Sequence, residues 1–446
     1  MAHPPRWRNW SGSVRATPQR IARPRDAGEV ADLVRGLAGR TLRVAASGHS
    51  FSPIAASDDV MATLADMPTL VEPAPDGRTV TASAGTTIRQ LNARLADHGL
   101  ALRNAGDIDH QTIAGALATG THGTGLAFGP MHADLVGVEL VDARGEISWI
   151  DGTGTDEGAG GPALEAARLA LGTLGVVTRV RLAVVPAYRL ATHVSRVLLD
   201  DVLTDLDHHL RDHRHAEFYW LPHTRWTQLK LADATDEPAL PTSAMQRIND
   251  VVLENAAIWA AGQVARTFPG ASAAVSRLLA RGIADVQSRL PSHAAFASTR
   301  WVRFQEMEYS LPADALVPVL EALDALITAE RLPVALPVEV RAVAADRTAW
   351  LSPAWGPEGS HRMYVAIHAF RGMPYTRYFR RAEAIFRSHG GRPHWGKVHT
   401  LAADDLQGLY PRFADFAAER ERSDPDGVFL SPYLARILSP TPSRCG

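Results

Sequence analysis

Apolar residues recur at helical spacing in "AGEVADLVRGLAG", where Val30, Leu33, Val34 and Leu37 fall on one face, and the period predicts an amphipathic helix. The run "TLRVAAS" behind it reads as a short strand, and "RTVTASAG" alternates as a second one. "TTIRQLNARLADHG" returns to the helical period, with Thr86 or Thr87 as N-cap and Gly99 as its stop. Two strands joined by a turn at Asp142 to Gly145 fit "DLVGVELVDARGEISWID", and "LGVVTRVRLAVVPAY" fits a buried strand ended by Pro186.

Beyond Pro186 the texture changes to aromatic-rich strands such as "AEFYWLPHTRW" and long amphipathic helices such as "PADALVPVLEALDALITAERL". That shift places a domain boundary near residue 186. The stretch from Asp250 to Arg281 reads as Ala-rich helix interrupted at Pro269 and Gly270, and "DGTGTDEGAGGPA" as a surface loop.

Composition narrows the function. The 446 residues are 46% hydrophobic and 21% charged with a formal net charge of -2, a balance without the field that attracts nucleic acid or anionic lipid. The single cysteine, Cys445, excludes an internal disulfide and Cys-based metal frameworks, which fits a reducing compartment. The N-terminus has no signal-peptide core and no apolar stretch is long enough to span a bilayer, so the expectation is a cytoplasmic protein without integral membrane association.

Neither a Gly-x-Gly-x-x-Gly helix start nor a Gly-Lys-Ser/Thr loop is present, so phosphate has to be held another way. "ASGHS", with Ser47, Gly48, His49 and Ser50, and "GALATGTHGTG", from Gly115, are poor in side chains, and their amides can approach an anion closely. Either is also an ordinary tight turn. His49 sits at the end of an apolar strand, where it is a turn residue, a metal ligand or a reactive imidazole beside a cofactor; His122 in the second loop raises the same question.

The densest histidine run, "HHLRDHRH" from His208 to His215, also carries Arg211 and Arg214, which oppose a cation, so it reads as a solvated helix end and no metal site is expected. In "PVEVR", Glu339 and Arg341 are two apart and share one face of a strand. That is either a surface ion pair or a fixed carboxylate and guanidinium over a polar substrate. Lys397 in "GGRPHWGKVH" is, alone, a loop lysine.

In order, "NWSG", "RVAASGHSFSPI", "GDIDHQTIAGALATGTHGTG", "GVVTRVRLAVVP", "RHAEFYWLPHT", "PVEVR", "PHWGK" and "FLSPYLARIL" span nearly the whole chain. This set resembles the FAD-linked sugar oxidoreductases of the vanillyl-alcohol-oxidase fold, in the branch of aldonolactone oxidases and dehydrogenases and alditol oxidases. The resemblance implies an α+β fold, with an α/β-like FAD-binding domain of two subdomains and a substrate domain whose antiparallel sheet covers the flavin. It divides the chain into 1–186, 187–392 and a segment 393–446 that returns to the cofactor domain.

It also implies FAD attached covalently through His49, singly because no cysteine lies near the ring, with contacts at Ser47, Gly48, Ser50, Gly106, Asp107, Ala114, Gly115, Thr121, His122, Gly123, Thr124, Val177 and Lys397. Val177 belongs at the adenine end. The implied catalytic set is Glu339, Arg341 and Lys397, with His368 beside it. Cations near the ring and an acceptor for the hydroxyl proton both assist oxidation of an alcohol, and Lys397 is itself that acceptor only if its pKa is lowered.

Gly106 lines the implied oxygen path, where a missing Cβ leaves room for a diatomic molecule, and Asp107 replaces the serine of several relatives. The substrate is then a sugar-derived lactone, with an alditol as the alternative, and the acceptor is O2 or another redox partner.

Overall fold

The computed structural model describes residues 5–152, 163–240, 256, 258–297 and 302–440. Most of the Gly-rich stretch, the start of the Ala-rich stretch and Cys445 lie outside them. Among the described residues no helix is long and apolar enough to cross a membrane.

Among the described residues the first half builds a three-stranded and a five-stranded sheet, with two two-stranded pairs beside them. Arg20–Ala22, Val60–Ala62 and Leu42–Val44 pair in parallel, and the helix Ala27–Arg35, capped by the Asp26 side chain, lays Val30, Ala31 and Val34 over them. The second sheet has five strands and is antiparallel throughout, in the order Ile147–Asp151, Leu135–Val141, Val176–Ala183, Thr79–Ser83, Val71–Pro73. The Asp142–Gly145 turn imposes that direction on its first pair. Thr87 is the N-cap of the helix Ile88–Asp97, in a reciprocal capping box with Gln90.

The second half is dominated by one eight-stranded antiparallel sheet. Its order is Val286–Pro291, Arg189–Leu198, Trp226–Thr235, His215–Trp220, Val338–Ala344, His361–Phe370, Phe304–Pro312, Arg392–Pro393. The period of two sorts its side chains. Met307, Tyr309, Leu311, Val338, Val340, Val365 and Ile367 pack under the helices Leu316–Ala329 and Thr376–Ser388 in the largest core, while Glu306, Glu308, Glu339, Arg341 and His368 go to the opposite face.

The last segment joins the halves. Trp395, Leu401, Phe413, Phe416 and Leu434 pack with Ile54, Leu169 and Leu174, and Phe429 closes the core beneath the parallel sheet. Arg43, 3% exposed, donates to the carbonyls of Ile54, Leu171, Gly172 and Phe429 and so ties three distant segments together.

Three buried histidines make this fold sensitive to acid. Burial pushes His215 down to about 4, and His394 and His399 down to about 3, from the ordinary 6.5. Below pH 6.5 the unfolded chain takes up protons that the native state refuses, so their contribution is present above that pH and is lost as pH falls toward 3. Stability should therefore drop by about 4 kcal/mol per pH unit near pH 5, about 1.4 for each ring. Thermal unfolding of the holoprotein from pH 7.5 to 4.5 measures this; a flat midpoint between pH 6.5 and 5 contradicts it.

Candidate active site

The strand Leu42–Val44 ends at Ala45, and Ser47 to Ser50 turn sharply with Gly48 at φ +69°, a left-handed position that suits glycine. The turn sets His49 against Trp10, ring to ring at 5.5 Å, and Ser47 bonds the carbonyl of His110. Burial first, then the charges of His110 and Lys397, outweigh Asp107 and lower His49 to about 4, so its ring is neutral.

Two cavities meet at this histidine. The longer, about 390 Å³, is lined by Ser47, Gly48, His49, Ser50, Gly85, Ala114, Gly115 and Val177 among others. Among the described residues on its wall Arg43, Arg168 and His49 are the only ionisable ones, and none is a carboxylate. The stretch from Gly115 is not a tight turn at its start but part of the helix Ile113–Thr119, capped by Thr112, and a Cβ on Gly115 would come within 2.9 Å of the Cβ of Ala46, so this helix abuts the Ser47–Ser50 turn. A wall of glycine, hydroxyl and amide groups free of acid fits the pyrophosphate of a dinucleotide, and apolar side chains such as Val177 and Phe429 fit a base.

The shorter cavity, about 80 Å³, shares His49, Ser50, Gln111 and Thr119 with the first. Its walls carry Gly106, Asp107, Thr121, His122, Glu306, Glu308, Glu339, Arg341 and Lys397. Sequence reading had no signal for Glu306 and Glu308 beyond their alternation in "FQEMEYS", which puts both on one face of a strand. It also passed over Glu217 and His394.

Arg341 is gripped from several sides: Glu339 at 2.6 Å, Glu217 at 2.8 Å, Tyr219 at 3.3 Å and Asp107 at 3.8 Å. Burial would lower its pKa, but Glu339 and Glu217 raise it well above the ordinary range. Burial would likewise raise Glu217; Lys230 and Arg341 prevail and hold it down at about 2. The surface ion pair that "PVEVR" allows is thus a buried cluster, with Glu339 and Arg341 at 6% and 7% exposure.

Lys397 reaches Glu306 at 2.6 Å and Glu308 at 3.9 Å. Burial alone would lower its pKa, but these carboxylates raise it instead, so Lys397 is a fixed cation and the condition for its acting as proton acceptor is not met. His368 lies behind the wall, buried, with Nδ1 donating to the carbonyl of Pro337 at 2.9 Å. Its Nε2 stands 3.7 Å from Glu306 and 4.0 Å from Glu339.

His122, Glu308 and His394 stand close enough to suggest a metal site. Their hydrogen bonds are already committed. The amide of Gly396 donates to Nδ1 of His394, placing that neutral ring's proton on Nε2, and His122 faces Gly123 O through Nδ1 and Glu308 through Nε2. Burial would raise the Glu308 carboxyl, but His122, Lys397 and His394 hold it well below the usual range. Within the trio His122 and Glu308 bond each other, and His394 is held instead by the Gly396 amide.

Gly123 and Thr124 lie off the walls of both cavities. A Cβ on Gly123 would strike Asn104, and Thr124 donates to Ala216 O and Ala342 O, which fastens the loop to the large sheet. Gly106 is also less open than its missing Cβ suggests: a methyl there would stand 3.1 Å from Thr121 Cγ2 and 3.2 Å from His122 O. The His208–His215 run divides among separate partners, His208 with Asp212 and His213 with Asp233. His215 is not at a solvated helix end but buried at the start of a strand, bonded to Thr124 O.

A cavity with no carboxylate among its described lining residues opens at His49 onto a buried set of cations and carboxylates, and together with the chain's similarity to FAD-binding and lactone-oxidase families this makes it an FAD-dependent oxidoreductase. Residues 18–151 match the family described as FAD binding domain, and residues 180–437 match the family described as D-arabinono-1,4-lactone oxidase. The chain belongs to the D-arabinono-1,4-lactone oxidase family.

It is 36% identical to the L-gulono-1,4-lactone dehydrogenase of Mycobacterium tuberculosis, over 98% of this chain and 100% of that protein. An alditol oxidase of a Streptomyces species is 33% identical, over 96% and 98% respectively. The fold is that of the cholesterol oxidase of B. sterolicum, at a TM-score of 0.76 and 17% identity over 97% of this chain and 96% of that one.

Proposed function

We propose that this enzyme oxidises a hydroxyl group of a sugar-derived 1,4-lactone to a carbonyl. The observation that carries the reading is the convergence of Glu339, Arg341, Lys397 and Glu306 on one small polar cavity that adjoins the dinucleotide cavity at His49. A fixed guanidinium and ammonium beside carboxylates suit a neutral, oxygen-rich substrate, whose hydroxyls bond the acids and whose carbonyl bonds the bases.

FAD, when bound, supplies the hydride acceptor. Ser47 to Ser50, Ala114 and Gly115 would line its pyrophosphate and Val177 its adenine end. Arg341 orients the substrate oxygen, held in place by Glu339 and Glu217. Lys397 stabilises negative charge as the C–H bond breaks. The hydroxyl proton passes to Glu306, on the wall beside Lys397, with His368 behind it, its Nε2 3.7 Å away.

Anaerobic mixing with a panel of 1,4-lactones and alditols, followed by flavin absorbance, tests the assignment. Bleaching by a lactone supports it; bleaching by alditols alone replaces it. Reoxidation of the bleached enzyme in air against added dyes then decides between O2 and another acceptor. Gly106→Ala is a poor probe of that choice, because its methyl presses on Thr121 and His122.

The neutral ring of His49, stacked on Trp10 at the mouth of the dinucleotide cavity, supports covalent attachment there. Denatured protein should remain yellow after precipitation, and His49→Ala should release all its flavin under the same treatment. Flavin that washes away from the unmodified chain would remove the tether from the proposal.

A further inference from the structure

The eight-stranded sheet carries a second concentration of charge far from the flavin region. A cleft of about 500 Å³ is lined by Arg347, Arg362, Arg392, His361, Trp355 and Asp314, with Gly, Pro and Ser residues completing the wall. Arg362 lies six residues before His368 on the strand His361–Phe370, hence on the same face and about 20 Å away at strand rise.

Three guanidinium groups share this wall, and none is in ion-pair contact with a carboxylate among the described residues. Main-chain and hydroxyl oxygens hold them instead. Arg362, 8% exposed, donates to Ser310 Oγ at 3.1 Å, Ser310 O at 2.8 Å and Gly390 O at 3.3 Å. Arg392 donates to Leu409 O and Trp355 O, over the ring of Tyr410, and Arg347 donates to Gly356 O at 2.9 Å.

These bonds orient the side chains without neutralising them. A guanidinium has five N–H donors, and Nη1 of Arg362, Nη2 of Arg392 and both Nη groups of Arg347 hold no protein partner among the described residues. The mutual repulsion is visible: burial first, then the charge of Arg392, lowers Arg362 to about 10, and Asp314 counters it least of the neighbours. Pre-oriented, uncompensated guanidiniums around an open cleft are the arrangement that recognises phosphate bidentately.

We propose that this cleft binds a small multivalent phosphate compound, with buried Arg362 and half-buried Arg392 as its inner donors and exposed Arg347 as its solvent-side arm. The site is separate from the oxidation chemistry and does not depend on the substrate assigned above. A neutral lactone offers it nothing, whereas a phosphate monoester or diphosphate supplies the missing negative charge. Asp314 is the one carboxylate on the wall among the described residues and weakens the attraction.

Titration calorimetry of the FAD-loaded enzyme with sodium pyrophosphate, at ionic strength held constant with sodium chloride, tests the proposal. Saturable binding at one site with a Kd below about 1 mM is expected, and inorganic phosphate should bind several-fold more weakly. Arg347→Gln, at an exposed position, should weaken pyrophosphate at least tenfold with turnover unaltered, and Asp314→Asn should tighten it several-fold. Saturating pyrophosphate should leave the KM for the reducing substrate unchanged. Absence of saturable heat, equal affinity in Arg347→Gln, or competition with the substrate overturns the site.

Discussion

Lys397→Met should lower the limiting rate of flavin reduction by about 10²- to 10³-fold, the range for removing one group aimed at developing negative charge. The reason is geometric. Glu306 at 2.6 Å and Glu308 at 3.9 Å hold the ammonium in place and protonated at the edge of the small cavity, so no reorganisation is needed when charge develops. FAD content should persist, since Lys397 lies on the wall of the shorter cavity and not of the longer one. Stopped-flow reduction at saturating lactone measures the effect. A change of less than tenfold would show that Lys397 only balances the two acids. Glu306→Gln adds a discriminating case: it keeps the side-chain shape but removes the assigned proton acceptor, so the limiting rate of reduction should fall while FAD content persists.

Arg341→Met should cost about 3–5 kcal/mol of stability at pH 7.5, the usual penalty for stripping one partner from a buried charge cluster. Glu217, Glu339 and Asp107 would then lose their shared cation, and Lys230, 3.0 Å from Glu217, does not replace it for the other two. The sign with pH follows. In the unmodified protein the folded pKa of Glu217 is depressed to about 2, so its contribution is present above the ordinary 4.5 and lost as pH falls toward 2. In the variant the carboxylates lose their cation and their folded pKa values rise, so the deficit is greatest at neutral pH and shrinks toward pH 5. Denaturant unfolding of both proteins at pH 7.5 and 5 compares the two. Arg341→Lys should recover part of the stability but little of the activity, because an ammonium cannot reproduce the guanidinium's contacts with Glu217, Glu339 and Tyr219 at once. Equal stability of Arg341→Met and the unmodified protein at pH 7.5 would show that Arg341 does not offset the charge of these carboxylates.

The recognisable loops were legible because their chemistry is local. Gly48 needs a left-handed backbone whatever surrounds it, and Thr87 and Gln90 cap a helix within one turn of chain. The motifs around His49, Glu339 and Lys397 therefore stood out, as did the change of texture after Pro186. Glu306 and Glu308 did not, although they set the charge of Lys397. Nothing within "FQEMEYS" distinguishes a site strand from any strand with one polar face. The resemblance implies cofactor contacts at Gly123 and Thr124, yet their neighbours are Asn104, Ala216 and Ala342, each brought there by tertiary packing.

The chain alone, through residue period and turn chemistry, determined which stretches are helices and strands, which face of each strand is polar, and where backbone would be bare enough for an anion. Tertiary structure decided which polar faces meet. Glu217 stands opposite Arg341, Tyr219 opposite Glu339 and Glu306 opposite His368 only because strands more than a hundred residues apart in two of these pairings adopted one register. A slip of one position would turn each of these side chains toward the helices, and strand period carries no information about which partner strand, or which register, will be chosen.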